Sequence, residues 1–325
     1  MKAIRQYEFG PAANLRYEDV PDPEPAQGQV RVAVEAAGVH LIDTKIRQGV
    51  SYGPPPQLPM TPGREIAGHV EALGAGVDRA WLGKRVVGHL GMASGGYAEQ
   101  AVIAVSSLHE IAEQVGPSAA VASIGTGRTA LVALDLAKLT EDDVVLVTAA
   151  ASGMGNLLVQ VAGRHLGATV VGVAGGADKV ARVRDLGADP AVDYTEPGWP
   201  ELVREALGDR EVSVVMDGVG SGALEDAAEL LGRSGRIVSF GWASGQPGAL
   251  DESDLNERGI EQSWVVGPSA APMGVLRELE TRSLAATTNG VWVPLLNPPY
   301  KLAEAAAAHT AMESRGTIGK VVLIP

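Results

Sequence analysis

Hydrophobic positions change their rhythm about a third of the way along the chain. Up to about residue 110 they form short runs, "QVRVAVEAAGV", "GHVEALG", "KRVVGHL" and "GGYAEQAVIA", which predict strands. The breaks "VPDPEPAQGQ" and "YGPPPQLPMTPG" hold prolines that cannot lie inside a central strand. An all-β, barrel-like sheet is the expectation for this region. From about residue 115, continuous apolar runs ("DVVLVTA", "ATVVGVA", "VSVVMDG", "GRIVSFG" and "QSWVVG") alternate with amphipathic pieces such as "NLLVQVAGRHLG" and "KVARVRDLGAD". Those two helices are predicted to stop at Gly167 and Gly187, where a C-terminal cap wants positive φ. Strand, helix, strand with both sheet faces covered makes the chain α/β, with a doubly wound parallel sheet. The chain closes with a helix in "KLAEAAAAHTAMESR" and a strand in "GKVVLIP", expected to pack back on the β-rich part.

A length of 325 residues suits two domains. The formal net charge of −13 offers no general attraction for nucleic acid or an anionic membrane. The opening "MKAIRQYEFG" lacks the features of a signal peptide, and no uncharged run approaches a length of about 18 residues; a cytoplasmic protein is expected. With no cysteine, disulfides, thiolate nucleophiles and Cys-containing zinc sites are excluded. The histidines, at 40, 69, 89, 109, 165 and 309, show no HxxxH or HExxH pairing, so no metal is expected. Redox chemistry must then come from an organic cofactor.

The stretch "VLVTAAASGMGNLLVQVA", from Val145 to Ala162, is a strand, a turn and a helix. A helix N-terminus offers unpaired N–H groups and the positive end of a dipole, and small residues let a pyrophosphate approach the backbone. Ser152 stands where the usual G-x-G-x-x-G spacing has a glycine, and its hydroxyl is itself a phosphate donor. At the tip of the next strand, an acid would hold a ribose 2′-OH and repel a 2′-phosphate. Here the strand runs out into Gly175, Gly176 and Ala177, with Lys179 close behind, a pattern that favours NADPH over NADH. A lysine in the first turn of a helix opposes the dipole, which also points to an anion nearby.

These segments, with "AAGVHLIDTKIRQG", "PGREIAGHVEALGAGV", "GTGRTAL", "GRIVSFGWASG" and "ESRGTIGKVVLIP", resemble the zinc-independent medium-chain dehydrogenase/reductases, in particular the NADPH:quinone oxidoreductases and alkenal or enone reductases. The resemblance covers essentially the whole chain. It implies a GroES-like β-barrel domain (1–122 and 268–325) around a Rossmann domain (123–267), with cofactor and substrate in the cleft between them. It also implies that Ser152, Gly153, Met154 and Gly155 wrap the pyrophosphate. Lys179 and Tyr194, beside Gly175, would bind the 2′-phosphate. Thr129, Phe240, Gly241, Trp242, Gly319 and Lys320 would line the nicotinamide half. A core aromatic is an equal reading of Trp242.

Zinc-dependent relatives place Cys near positions 38 to 40 and His in "GHE", where this chain has "GVH" and Gly63-Arg64-Glu65. Compared with the quinone reductases, His40 and Lys45 replace Asn and Tyr, Asp43 and Thr44 match, and a late arginine becomes Gly267. Without a metal, the natural reaction is hydride transfer to a quinone or a polarised C=C, whose negative charge needs only hydrogen-bond donors. His40 is the candidate donor of a bond or proton, or else an organiser of the ribose or a loop. Lys45 is a candidate stabiliser of the anion, or a solvated charge. Asp43 either orients its neighbours or caps a helix starting around Thr44. Alternatives are an enoyl-thioester reductase, whose tyrosine acid is missing near Lys45, and an NADPH-binding sensor or crystallin-like protein. The family also implies a homodimer, paired edge to edge through the strand in "IEQSWVVG".

Overall fold

The computed structural model describes residues 1–50, 56–91, 94–265 and 273–325; Gly267 lies outside them. The chain divides into two compact units. One comprises Met1–Gly125, Glu280–Thr288 and Leu296–Pro325, the other Thr126–Leu279 and Asn289–Leu295.

In the first unit β1 (Lys2–Gln6) and β2 (Leu15–Asp19) form an antiparallel pair. Then come β3 (Gln29–Val39), α1 (Leu41–Arg47), β4 (Glu65–Leu73), β5 (Arg85–His89), β6 (Gln100–Ala104), β7 (Leu108–Glu110) and α2 (Pro117–Val121). The long β3 is the organiser, pairing with both β4 and β6. Val30, Val32 and Val34 alternate inward to meet Ile66, Val70, Tyr97 and Leu108 in one apolar core. The sequence does not predict α1 from Leu41: the helix begins three residues before Thr44, with His40 as its N-cap in extended conformation. Asp43 therefore caps from inside the helix, its carboxylate accepting a bond from His40 N at 2.8 Å, because a short acid at the third helical position reaches back to the orphan N–H.

The second unit holds α3 (Arg128–Ala137), β8 (Val144–Val147), α4 (Gly155–Gln160), β9 (Thr169–Ala174), α5 (Ala177–Asp185), β10 (Ala191–Asp193), α6 (Trp199–Leu207), β11 (Val212–Asp217), α7 (Gly222–Glu229), β12 (Leu231–Ser239), α8 (Glu252–Arg258) and β13 (Glu261–Trp264). All six strands are parallel, in the order β10-β9-β8-β11-β12-β13. Every residue of β8 is buried, as a strand with helices on both faces requires. The order reverses between β8 and β11, which opens a crevice at their carboxyl ends. The strands in "DVVLVTA", "ATVVGVA", "VSVVMDG", "GRIVSFG" and "QSWVVG" are all present, and Gly167 and Gly187 have φ of 80° and 111°. The short β10 is an addition, since three residues in "AVDY" give too little pattern to predict a strand.

The chain returns to the first unit through α9 (Leu276–Thr288), β14 (Tyr300–Lys301), α10 (Ala305–Glu313) and β15 (Val321–Ile324), which pairs antiparallel with β3. Among the described residues, the helical run Pro117–Ala137 is long and apolar enough to cross a membrane by length and composition. It carries Arg128 and Asp135, and more than half of it is buried inside the protein, as a core helix would be.

Candidate active site

At the end of β8 the chain turns through Ala149, which is held at φ 49°, a left-handed conformation uncommon outside glycine. Ser152 N donates to Ala149 O at 2.8 Å, and Gly155 N donates to Ser152 Oγ at 3.0 Å. The hydroxyl thus caps the turn and keeps its own proton to donate. The Asn156 amide ties down the carbonyls of Ser152 and Gly153 at 2.8 and 2.7 Å. A Cβ at Gly155 would stand 2.2 Å from Ala149 O, so no other residue lets helix and strand come this close. The N–H groups of Gly153 and Met154 have no partner among the described residues. Two free donors at a helix N-terminus fit a pyrophosphate.

Across the switch point, Asp217 fastens the loop after β11. Its carboxylate accepts bonds from Thr148 Oγ1 at 2.5 Å, Val219 N at 3.1 Å and Gly220 N at 3.0 Å. Burial pushes the Asp217 carboxyl up, against the pull of those donors. Phe240 packs its ring on Gly218, where a Cβ would lie 2.3 Å from it, and Gly241 follows it. Trp242 is half-buried and meets Trp264 edge to face, with centroids 6.0 Å apart. Thr129 is half-buried in the first turn of α3.

The tip of β9 brings three of the expected residues together. A Cβ on Gly175 would come within 3.1 Å of the Tyr194 hydroxyl, and Lys179 lies half-buried in the first turn of α5. Asp193, at the end of β10, puts an acid nearby that the sequence reading did not foresee. Its oxygens are taken by Gly176 N (2.9 Å), Thr195 N (2.9 Å) and Thr195 Oγ1 (2.7 Å).

In the first unit a second cluster forms around Glu65, the first residue of β4. Its carboxylate is fully buried, and Oε2 lies 2.6 Å from His40 Nε2 and 2.7 Å from Lys320 Nζ. Lys320 Nζ is in turn 2.7 Å from His40 Nε2. Two glycines make room: a Cβ would stand 2.2 Å from Glu65 Oε2 at Gly38 and 1.9 Å from Oε1 at Gly125. Burial pushes the Glu65 carboxyl up, but His40 and Lys320 beside it outweigh burial and hold it well below the usual range. Burial lowers the Lys320 ammonium, against the pull of Glu65. Lys320, expected beside the nicotinamide, thus spends its charge on Glu65; Gly319 precedes it at φ 72°.

A second network hangs on Asp43, which is buried. Besides His40 N, it accepts bonds from Arg64 Nε at 3.3 Å and from the Tyr97 hydroxyl at 3.2 Å. Tyr97 OH is 3.2 Å from His309 Nε2, and burial drives the His309 imidazole down to about 4. Burial, with Asp43 beside it, holds the Tyr97 hydroxyl well above its usual range. Asp43 and Arg64 also line a cavity of about 240 Å³ with Ile46, Met60 and Pro62. A larger hollow of about 570 Å³, beside Arg5, Tyr7 and Gln100, contains none of these groups. Lys45 lies on α1, but its side chain makes no hydrogen bond or ion pair among the described residues, so the structure does not draw it into either network. Glu65, Arg64, Tyr97 and His309 are the members that sequence reasoning missed. The available signal was a charged pair, Arg64-Glu65, leading straight into the apolar "IAG".

Comparison with known proteins matches residues 26–113 to the alcohol dehydrogenase GroES-like domain and residues 153–281 to the zinc-binding dehydrogenase model. The class is therefore that of the two-domain medium-chain dehydrogenases, with no cysteine for the metal that the second model's description names. Quinone oxidoreductase of Salmonella typhimurium is 34% identical over all of this chain and 96% of its own length. A 2-haloacrylate reductase of Burkholderia is 33% identical over all of this chain and 99% of its own. The crystal structure of Escherichia coli quinone oxidoreductase complexed with NADPH superposes with a TM-score of 0.86 at 30% identity, covering both chains completely. The chain belongs to the quinone oxidoreductase family of medium-chain dehydrogenase/reductases.

Proposed function

We propose that this chain is an NADPH-dependent oxidoreductase that reduces a quinone or the C=C of an α,β-unsaturated carbonyl without zinc. The observation that carries this reading is full-length similarity to a quinone oxidoreductase and to a 2-haloacrylate reductase, in a chain with no cysteine for a metal. Bound NADPH supplies the hydride. The segment 123–267 is the nucleotide-binding domain. Its backbone N–H groups at Gly153 and Met154, with the Ser152 hydroxyl, hold the pyrophosphate. Lys179 and the Tyr194 hydroxyl, beside Gly175, hold the 2′-phosphate by charge-assisted hydrogen bonds. Thr129, Phe240, Gly241, Trp242 and Gly319 shape the nicotinamide side.

The segments 1–122 and 268–325 form the substrate domain. His40 donates a hydrogen bond to the acceptor oxygen, where negative charge grows as hydride arrives. Asp43 fixes the start of α1 and the Arg64 guanidinium. Lys45 adds long-range positive charge only. The enzyme works as a homodimer joined through β13, which ends the parallel sheet among the described residues, since an edge strand is best covered by pairing. The test is NADPH consumption with EDTA present, against a small quinone, an alkenal, a cyclic enone and a crotonyl thioester. Turnover of the quinone or enone is expected. Turnover of the thioester alone, or of none, would overturn the reading.

A further inference from the structure

We propose that Lys320, Glu65 and His40 form a proton relay, in which His40 Nδ1 gives a proton to the reduced acceptor while Lys320 Nζ returns one to His40 Nε2. The proposal rests on the reductase reading above.

The geometry is that of a single oxygen serving two nitrogens. Glu65 Oε1 accepts no hydrogen bond among the described residues, so both donors converge on Oε2. That convergence brings Lys320 Nζ and His40 Nε2 within 2.7 Å of each other. An imidazole nitrogen carries either a lone pair or a hydrogen. With a lone pair on Nε2, Lys320 donates to it and to Glu65, and the neutral ring must carry its proton on Nδ1. With a hydrogen on Nε2, that hydrogen points at Glu65 Oε2, 2.6 Å away, and Lys320 is left as an amine. The same heavy-atom positions serve both forms. One proton therefore crosses from Nζ to Nε2 with no side chain moving.

Exposure gives the relay its direction. The side chains of Glu65 and Lys320 are 0% and 4% exposed, and that of His40 is 21% exposed. A proton leaves this cluster through His40. Around the imidazole stand Asp43 on its own helix, Arg64 and Glu65 on or beside β4, His89 on β5 and Lys320 ahead of β15. The formal charges of Asp43, Glu65, Arg64 and Lys320 cancel. Burial weakens the grip of Lys320 on its proton, in the direction the relay needs.

The step balances as follows. The acceptor gains hydride, which is one hydrogen with two electrons, and its π pair moves onto oxygen. The Nδ1–H bond of His40 breaks, its proton forms the O–H bond, and the electron pair stays on Nδ1. One N–H bond of Lys320 breaks as its proton bonds to Nε2. His40 ends neutral with its hydrogen on Nε2, Lys320 ends as a neutral amine, and one proton from solvent restores the start.

The test is the tautomer of His40, read from long-range ¹H–¹⁵N spectra of the uniformly ¹⁵N-labelled full chain at pH 7.5, with its signals assigned by loss in His40→Asn. The relay predicts hydrogen on Nδ1 and a lone pair on Nε2 in the unmodified protein. In Lys320→Met the hydrogen moves to Nε2, facing Glu65. Hydrogen on Nε2 in the unmodified protein would overturn the relay, as would unchanged nitrogen shifts in Lys320→Met. Lys320→Met leaves a buried carboxylate unpaired; should it not fold, Glu65→Gln paired with Lys320→Met removes both charges, and the unmodified spectrum decides in any case. Kinetically, Lys320→Met should lower kcat on an enone about a hundredfold, within the range for one general acid, leave KM for NADPH unchanged and abolish the solvent isotope effect on kcat. If no acceptor turns over, the reductase reading fails while the spectra still judge the relay.

Discussion

At the scale of single residues, both buried networks resist protonation, at different pH. His309 is wholly buried and is held as a neutral ring by burial, titrating at about 4 against an ordinary 6.5. The unfolded chain takes up a proton that the folded chain refuses, so stability is full above pH 6.5, falls as pH drops and levels off near pH 4. At about 1.4 kcal/mol per unit, this one ring costs about 3 kcal/mol across that window. Urea unfolding between pH 7.5 and 4.5 should show the loss, and His309→Gln should flatten it. Glu65 acts lower: its folded carboxyl is depressed, so its contribution is complete above the ordinary carboxylate range and disappears in stronger acid. Gly155→Ala is a different case, because its Cβ meets a backbone carbonyl at 2.2 Å. A loss of about 1–3 kcal/mol is expected by urea unfolding, together with weaker NADPH binding by calorimetry. Of these residues, Gly155 was legible in the sequence because a strand-turn-helix corner needs small residues. Glu65 and His309 were not, since their partners lie far away in sequence at Lys320 and Tyr97 and nothing local marks the pairing.

Elements were easier to read than contacts. Continuous apolar runs announced the parallel strands, because both faces of that sheet are covered. The start of α1 was misplaced by three residues, since His40 is a rare N-cap and the acid that marks the helix, Asp43, sits inside it. At the tip of β9 the sequence offered Gly175, Lys179 and Tyr194, and the fold adds Asp193, already occupied by three donors. With that acid engaged, Lys179 and Tyr194 should set the cofactor preference. Lys179→Ala combined with Tyr194→Phe is expected to raise KM for NADPH about tenfold, a loss of about 1.4 kcal/mol, while leaving NADH unaffected. The difference should shrink at high salt, which screens exposed charges. Equal losses for both cofactors in steady-state kinetics would remove these residues from phosphate binding.

For the whole molecule, the division into a β-rich unit and a doubly wound unit was visible as a change of hydrophobic period, and the return of the last strand to the first unit was expected from its β-rich character. The edge that β13 forms among the described residues predicts a twofold assembly: light scattering should give twice the 33.5 kDa chain mass. Gln262→Pro, which removes an N–H that faces away from β12, should shift the mass toward one copy. The central reaction is tested most directly by isotope transfer to an enone, whose new C–H bond does not exchange with water, unlike the O–H of a hydroquinone. With NADPH carrying deuterium at C4 on one face and then on the other, one of the two labels should appear at the β-carbon of the product by mass spectrometry and NMR. Saturated product free of deuterium with both labels would contradict hydride delivery by this chain.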